Sequence, residues 1–306
     1  MKKIVILLLA LPSLVSLQTV FGDDDPLEHL QSGGLDRTYI VHVPAALPKG
    51  PVPLVVVLHG GGGSAAGAAK QTHFDAESDK GGFIVVYPDG TGRSGFLMRR
   101  ADRQGLYTWN AGNCCGYAQE HDVDDVGFIR ALVAQIEKGY SVDPKRIYAT
   151  GLSNGAMMSY RLACEASDLF AAVGTVSGGI EVPDCKPADP VSVIHIHGSA
   201  DQNIPLDGGV GRKAWEKENH KPIRDSIDFW TTQDACPAAV EAVHGDIHIE
   251  THASCKDDTA VVFYVIEGGG HAWPGGEQMA FFLDKPSTAM DATAEIWKFF
   301  AAHPRQ

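Results

Sequence analysis

Apolar runs and alternations along the chain predict strands and helices in turn. Arg37–Val43 alternates like a strand, whereas Pro53–Leu58 is apolar throughout and ends at His59, the pattern of a strand buried on both faces. After Gly60–Gly63 an alanine-rich stretch predicts a helix near Ala65–Lys80, and Phe83–Tyr87 is a second buried strand. Gly90–Glu120 reads as a long glycine-rich loop. Val126, Ile129, Leu132, Val133 and Ile136 share one helical face, with Asp122, Asp124 and Asp125 at its start, where acids cap a helix and offset its dipole. Asp143-Pro144 ends that region, Arg146–Thr150 is a strand running into Gly151, and a helix follows through Ala163. Strands near Ala171–Val176 and Val191–Ile196 precede helical pieces within Trp215–Ala235. Ile247–Ser254 and Val261–Ile266 are strand-like, and Ala289–Ala302 is a closing amphipathic helix. Strands alternating with helices predict an α/β fold, a mainly parallel central sheet with helices on both faces.

The first 22 residues stand apart. Lys2 and Lys3, the apolar run Ile4–Leu11, Pro12 and then small and polar residues up to Gly22 read as a secretory signal peptide. A cut after Gly22 leaves residues 23–306 as one catalytic-sized domain, exported to the periplasm or beyond. That apolar core is too short for a comfortable transmembrane helix, and no run of about 20 apolar residues occurs beyond it. The 25 basic residues against 38 acidic ones give a formal charge of −13, which argues against a nucleic-acid partner. Six cysteines in an exported chain predict disulfides. Cys236 and Cys255 flank one local stretch and are expected to pair. Adjacent cysteines bridge each other with difficulty, so Cys114 and Cys115 are expected to reach Cys164 and Cys185. No Cys-x-x-Cys pair suggests a metal, and His244, His248 and His252 fall where the pattern turns strand-like, as a solvated face.

Gly151-Leu152-Ser153-Asn154-Gly155 lies where a buried strand meets a helix. A serine on such a turn has a strained backbone, and the flanking glycines remove side chains that would clash. Its hydroxyl stands beside a helix N-terminus, which favours a developing negative charge. A serine needs a base to take its proton and an acid to orient that base. Asp201, in Gly198-Ser199-Ala200-Asp201, and His271, in Gly268-Gly269-Gly270-His271, each follow a predicted strand at the sheet edge where ligands collect. Asn154 N–H and a glycine amide of His59-Gly60-Gly61-Gly62-Gly63, Gly61 or Gly62, are the candidate oxyanion donors. One such donor was worth about 3–4 kcal/mol in a studied protease. His195 and His197 are expected to pack or hydrogen-bond rather than react. Gly60-x-Gly62-x-x-Ala65 fits a relaxed dinucleotide fingerprint, a weak pattern in a chain that carries an export signal.

Taken together, these motifs resemble the secreted esterases that include polyhydroxybutyrate depolymerase-like proteins and feruloyl or acetylxylan esterases. The likeness runs from about Arg37 to the C-terminus. It rests on Leu58-His59-Gly60-Gly61, Trp109-Asn110-Ala111-Gly112 with Cys114-Cys115-Gly116, and Val123-Asp124-Asp125-Val126-Gly127-Phe128. It continues through Ala149-Thr150-Gly151-Leu152-Ser153-Asn154-Gly155-Ala156-Met157-Met158, His197-Gly198-Ser199-Ala200-Asp201 and Gly270-His271-Ala272-Trp273-Pro274-Gly275. The resemblance implies an α/β-hydrolase fold, Ser153 as nucleophile, Asp201 as acid and His271 as base, with no metal and no organic cofactor. The expected substrate is an ester, either a hydroxybutyrate-type oligoester or a feruloyl or acetyl ester on plant polysaccharide. Trp109 and Trp273 are candidates to stack on its ring. A secreted serine peptidase using the same triad and a catalytically inactive binding module are the competing readings.

Overall fold

The computed structural model describes residues 25–92, 106–214 and 217–306. The expected signal peptide and Trp215 lie outside them. Among the described residues, Leu27–Ser32 (β1), Leu35–His42 (β2) and Val52–Leu58 (β3) come first, followed by helices Ala65–Thr72 (α1) and Phe74–Gly81 (α2). Ile84–Pro88 (β4), Gly116–Glu120 (α3), Asp125–Gly139 (α4), Val142–Leu152 (β5) and Asn154–Glu165 (α5) follow. Next come Ala172–Val176 (β6), Ser192–Gly198 (β7), the short Gly209–Val210 (β8) and Asn219–His220 (β9), and Ile223–Gln233 (α6). Val240–His244 (β10), Ile247–His252 (β11), Val261–Ile266 (β12) and Ala292–Ala302 (α7) complete the chain.

One sheet runs in the order β1-β2-β4-β3-β5-β6-β7-β12-β11-β10. Its six central strands, β4 to β12, are parallel, and the two strands at each edge are antiparallel. This is the α/β-hydrolase fold, with the parallel core that the buried runs predict. Strand β3 shows why those runs are apolar throughout. Leu54, Val56 and Leu58 enter the core beneath α4, α5 and α6, while Val55 and Val57 enter the one beneath α1, α2 and α7.

Several local expectations change. The helix predicted over Ala65–Lys80 breaks at His73, whose φ is 56°. The Thr293 hydroxyl donates to the Thr72 carbonyl and so takes an acceptor at the end of the first helix. Strand β5 starts earlier than predicted, because Asp143-Pro144 sits in a bulge rather than a stop. Val52 pairs with Val142, and the next pair is Leu54 with Ile147. Asp124 caps α4, accepting from Gly127 N at 2.8 Å, but Asp125 does not. It is wholly buried, and Arg37 donates to its Oδ1 at 2.8 Å.

Cys164 pairs with Cys185 and Cys236 with Cys255, closing separations of 21 and 19 residues. The expectation that Cys114 and Cys115 reach Cys164 and Cys185 is therefore wrong. Cys164 and Cys185 stand 4.9 Å apart at Cα and take each other, while Cys114 and Cys115 are bridged across a cis peptide.

Asp234, at the end of α6, is fully buried and accepts from the Thr259 hydroxyl at 3.1 Å. Burial pushes its carboxyl up to about 6, against the pull of Thr259. A carboxyl raised in the folded state binds its proton more tightly folded than unfolded. Its contribution to stability is thus greatest at low pH and is lost as pH rises from the ordinary carboxylate range through about 6. Asp234→Asn is expected to stabilise the protein by roughly 1–3 kcal/mol at pH 8, with little gain at pH 4. Urea unfolding at both pH values checks this, and an equal effect at both would refute the burial argument.

Candidate active site

The turn between β5 and α5 holds Ser153 at φ 58° and ψ −121°, outside the regions a side chain ordinarily occupies. Its amide donates to Val176 O on β6 at 2.8 Å, which ties the turn to the sheet. The glycines on either side are required by the space. A Cβ at Gly151 would stand 2.6 Å from both Leu58 O and Gly155 C, and one at Gly155 would stand 2.3 Å from Leu58 O. The motif is thus a backbone crossing against the end of β3. Asn154 opens α5, where the first amides of a helix have no intrahelical acceptor.

The glycine turn after β3 faces this crossing, since a Cβ at Gly60 would meet Leu152 O at 3.4 Å and Ser153 Cβ at 3.7 Å. Buried His59 braces the turn. Its Nε2 accepts from Gly90 N at 3.0 Å, so Nδ1 carries the proton and donates to Gly60 O at 2.8 Å. Burial lowers this imidazole to about 4 and keeps it neutral. Gly62 N is already engaged with Tyr107 O at 2.8 Å, which leaves Gly61 as the better donor candidate of the two.

Asp201 and His271 meet at the ends of neighbouring parallel strands, β7 and β12. His271 Nδ1 lies 2.8 Å from Asp201 Oδ2. The other oxygen, Oδ1, accepts from Asn203 N at 2.8 Å and Ile204 N at 2.9 Å. Burial would raise this carboxyl, yet the His271 hydrogen bond and the amides hold it below the usual carboxylate range. The loops are joined as well: Ser199 N donates to Ile266 O, Ala200 N to Gly269 O and Gly268 N to Ser199 Oγ, at 2.9, 2.9 and 2.8 Å. Asp284 adds a tie the sequence did not reveal. Its Oδ2 accepts from His271 N at 3.0 Å while its Oδ1 takes Lys213 Nζ at 2.6 Å.

Trp109 and Trp273 are not stacking surfaces. Both are wholly buried with the indole N–H occupied, Trp109 by His59 O at 3.0 Å and Trp273 by Thr293 Oγ1 at 2.9 Å. The Asn154 side chain clamps the Trp109 backbone from both sides, accepting from its N at 2.7 Å and donating to its O at 2.9 Å. Exposed aromatic surface instead lies at Phe281 and Phe282, 94% and 73% accessible, on the segment that Asp284 ties to His271. His244, His248 and His252 lie on the β10–β11 hairpin, where His252 bonds Pro237 O at 2.7 Å and Glu250 at 2.8 Å.

The profile of the family described as Esterase PHB depolymerase matches residues 37–210. The chain belongs to that esterase family. The match takes in Ser153 and Asp201 and stops short of His271. This esterase is 32% identical to NocK of Nocardia uniformis subsp. tsuyamanensis, over 79% of this chain and 72% of the other. Feruloyl esterase B of Piromyces equi is 31% identical over 74% of this esterase, a match that spans 40% of the relative's length. Among solved structures, the acetyl xylan esterase from Aspergillus awamori superposes with a TM-score of 0.61, covering 90% of this chain and 99% of its own. At 16% identity that likeness is one of fold. As a member of this family, the esterase is a carboxylic ester hydrolase.

Proposed function

We propose that this protein is a secreted serine esterase in which Ser153, His271 and Asp201 form the catalytic triad. The observation that carries the reading is the 2.8 Å bond from His271 to Asp201 at the sheet edge where the Ser153 turn also ends. His271 takes the Ser153 proton as the hydroxyl attacks the ester carbonyl, and Asp201 holds the imidazole with its proton on Nδ1. The amides of Asn154 and Gly61 receive the oxyanion. The imidazolium then protonates the departing alcohol, and the neutral ring activates water against the acyl-enzyme. The lysine-led apolar N-terminus and the paired cysteines support export.

The substrate class we propose is an aromatic or short-chain acyl ester on plant polysaccharide, with methyl ferulate as the soluble probe. Its support is the likeness to a feruloyl esterase and the aromatic pair Phe281–Phe282, which takes the role first expected of the buried tryptophans. Hydroxybutyrate oligomers are the second reading, favoured by the family's description. A panel of methyl ferulate, acetylated xylan, hydroxybutyrate oligomers and p-nitrophenyl esters decides between them. The highest kcat/KM is expected on methyl ferulate, and preference for the oligomers would transfer the assignment. Labelling by a fluorophosphonate probe is expected on Ser153, and modification elsewhere would remove the triad.

A further inference from the structure

Behind Asp201, away from solvent, a line of hydrogen-bonded polar side chains runs into the core. His195 and His197 point to the same face of β7, are 0% and 1% exposed, and lie nearly parallel with centroids 5.3 Å apart. His195 Nδ1 is 2.9 Å from the Tyr160 hydroxyl on α5 and 2.8 Å from the Thr175 hydroxyl on β6. His195 Nε2 is 3.1 Å from His197 Nδ1, and His197 Nε2 is 2.9 Å from Ile204 O and 3.6 Å from Asp201 Oδ2. Triad chemistry as proposed above uses none of these four side chains, and buried imidazoles are costly unless their hydrogen bonds are satisfied.

The partners fix the direction of the chain. Ile204 O can only accept, so His197 Nε2 carries hydrogen and its Nδ1 is a bare acceptor. His195 must then donate from Nε2 and accept at Nδ1 from a hydroxyl. Both rings are neutral, since burial lowers each below the ordinary histidine range, and in His197 it outweighs the opposing pull of Asp201. The donor end arrives where the acid is held. Ile204 donates its N–H to Asp201 Oδ1 and receives the His197 N–H on its carbonyl, so one residue links the ring to the carboxylate.

We propose that His197, oriented by His195, is a positioning residue that fixes the Asp201 carboxylate for its bond to His271. This inference rests on the triad reading. Loss of the Ile204 anchor frees the turn carrying Asp201, and small misplacements of a catalytic group cost rate rather than binding.

The test compares His197→Leu with His197→Gln, whose amide N–H can reach Ile204 O. For p-nitrophenyl acetate, His197→Leu is expected to lower kcat roughly ten- to a hundredfold with KM little changed. His197→Gln is expected to recover most of that loss. The downfield proton of His271 Nδ1–H should vanish in the leucine variant and return in the glutamine variant. A folded His197→Leu with unchanged kcat overturns the proposal. Should the leucine variant not fold, histidine ¹⁵N spectra of the wild-type protein decide. Both rings are expected neutral and protonated on Nε2, and a charged ring or an Nδ1–H tautomer at His197 overturns the proposal. Ser153→Ala, run alongside, separates the two claims: full turnover there removes the triad itself, whatever His197 does.

Discussion

Ser153→Ala is expected to lower kcat for p-nitrophenyl acetate by about a hundred-thousandfold or more, the size of loss seen when a triad serine is removed elsewhere. The change deletes one oxygen. It leaves the Cβ, the bond from the Ser153 amide to Val176 O, and the glycine contacts that shape the turn. The far-ultraviolet circular dichroism and urea midpoint should therefore stay near those of the parent. A small residual rate is expected to persist, because the Asn154 and Gly61 amides would still polarise a bound carbonyl. Undiminished turnover in a folded Ser153→Ala protein would refute the nucleophile assignment.

The largest stability effect is expected at Asp125, a buried carboxylate near the site. Arg37 and Asp125 are 2% and 0% exposed, and Arg37 also donates to Asp89 O at 3.0 Å while lying 3.8 Å over the Phe128 ring. The second Asp125 oxygen accepts from Asn110 N at 2.8 Å, which fixes the loop next to Trp109. Burial shifts both groups toward their neutral forms, raising the carboxyl and lowering the guanidinium against their mutual attraction. Replacing such a pair with apolar residues can be harmless, but removing one member strands a charge in the core. Asp125→Ala is accordingly expected to cost about 3–5 kcal/mol in urea unfolding at pH 7. A loss below about 1 kcal/mol would mean that Arg37 finds solvent or another partner. If Asp125→Asn abolished turnover in folded protein while Asp201→Asn did not, the acid would have been wrongly chosen.

What could be read ahead of the structure follows the range of the forces involved. The parallel core is legible because a strand covered on both faces is mostly apolar along its length, as β3 is throughout. The candidate residues Ser153, Asp201 and His271 are legible because each follows the buried end of a strand, among glycines. The edge strands were missed. β1 and β10 are largely exposed and carry no apolar face to betray them. Their turns were nonetheless in view: Gly33 and Gly34 at φ 58° and 75°, and Gly245 at φ 60°, are the two-residue hairpin signals between β1 and β2 and between β10 and β11. Contacts made across the fold left no local trace. The Asn154 clamp on Trp109, the Arg37–Asp125 pair, the Asp284 tie to His271 and the Cys164–Cys185 bridge each join residues whose proximity only the folded chain supplies.

The hydrogen-bonded seam between the loops after β7 and β12 has a mechanical corollary. Under the proposed triad, acid and base ride on one fused rim, while the serine hangs from a separate bend anchored to β6. Strain that reaches this end of the sheet is expected to preserve the carboxylate–imidazole spacing better than the gap across which, on the proposed mechanism, the proton first travels. Heat or denaturant would thus silence hydrolysis by widening that single gap, well before the sheet itself comes apart.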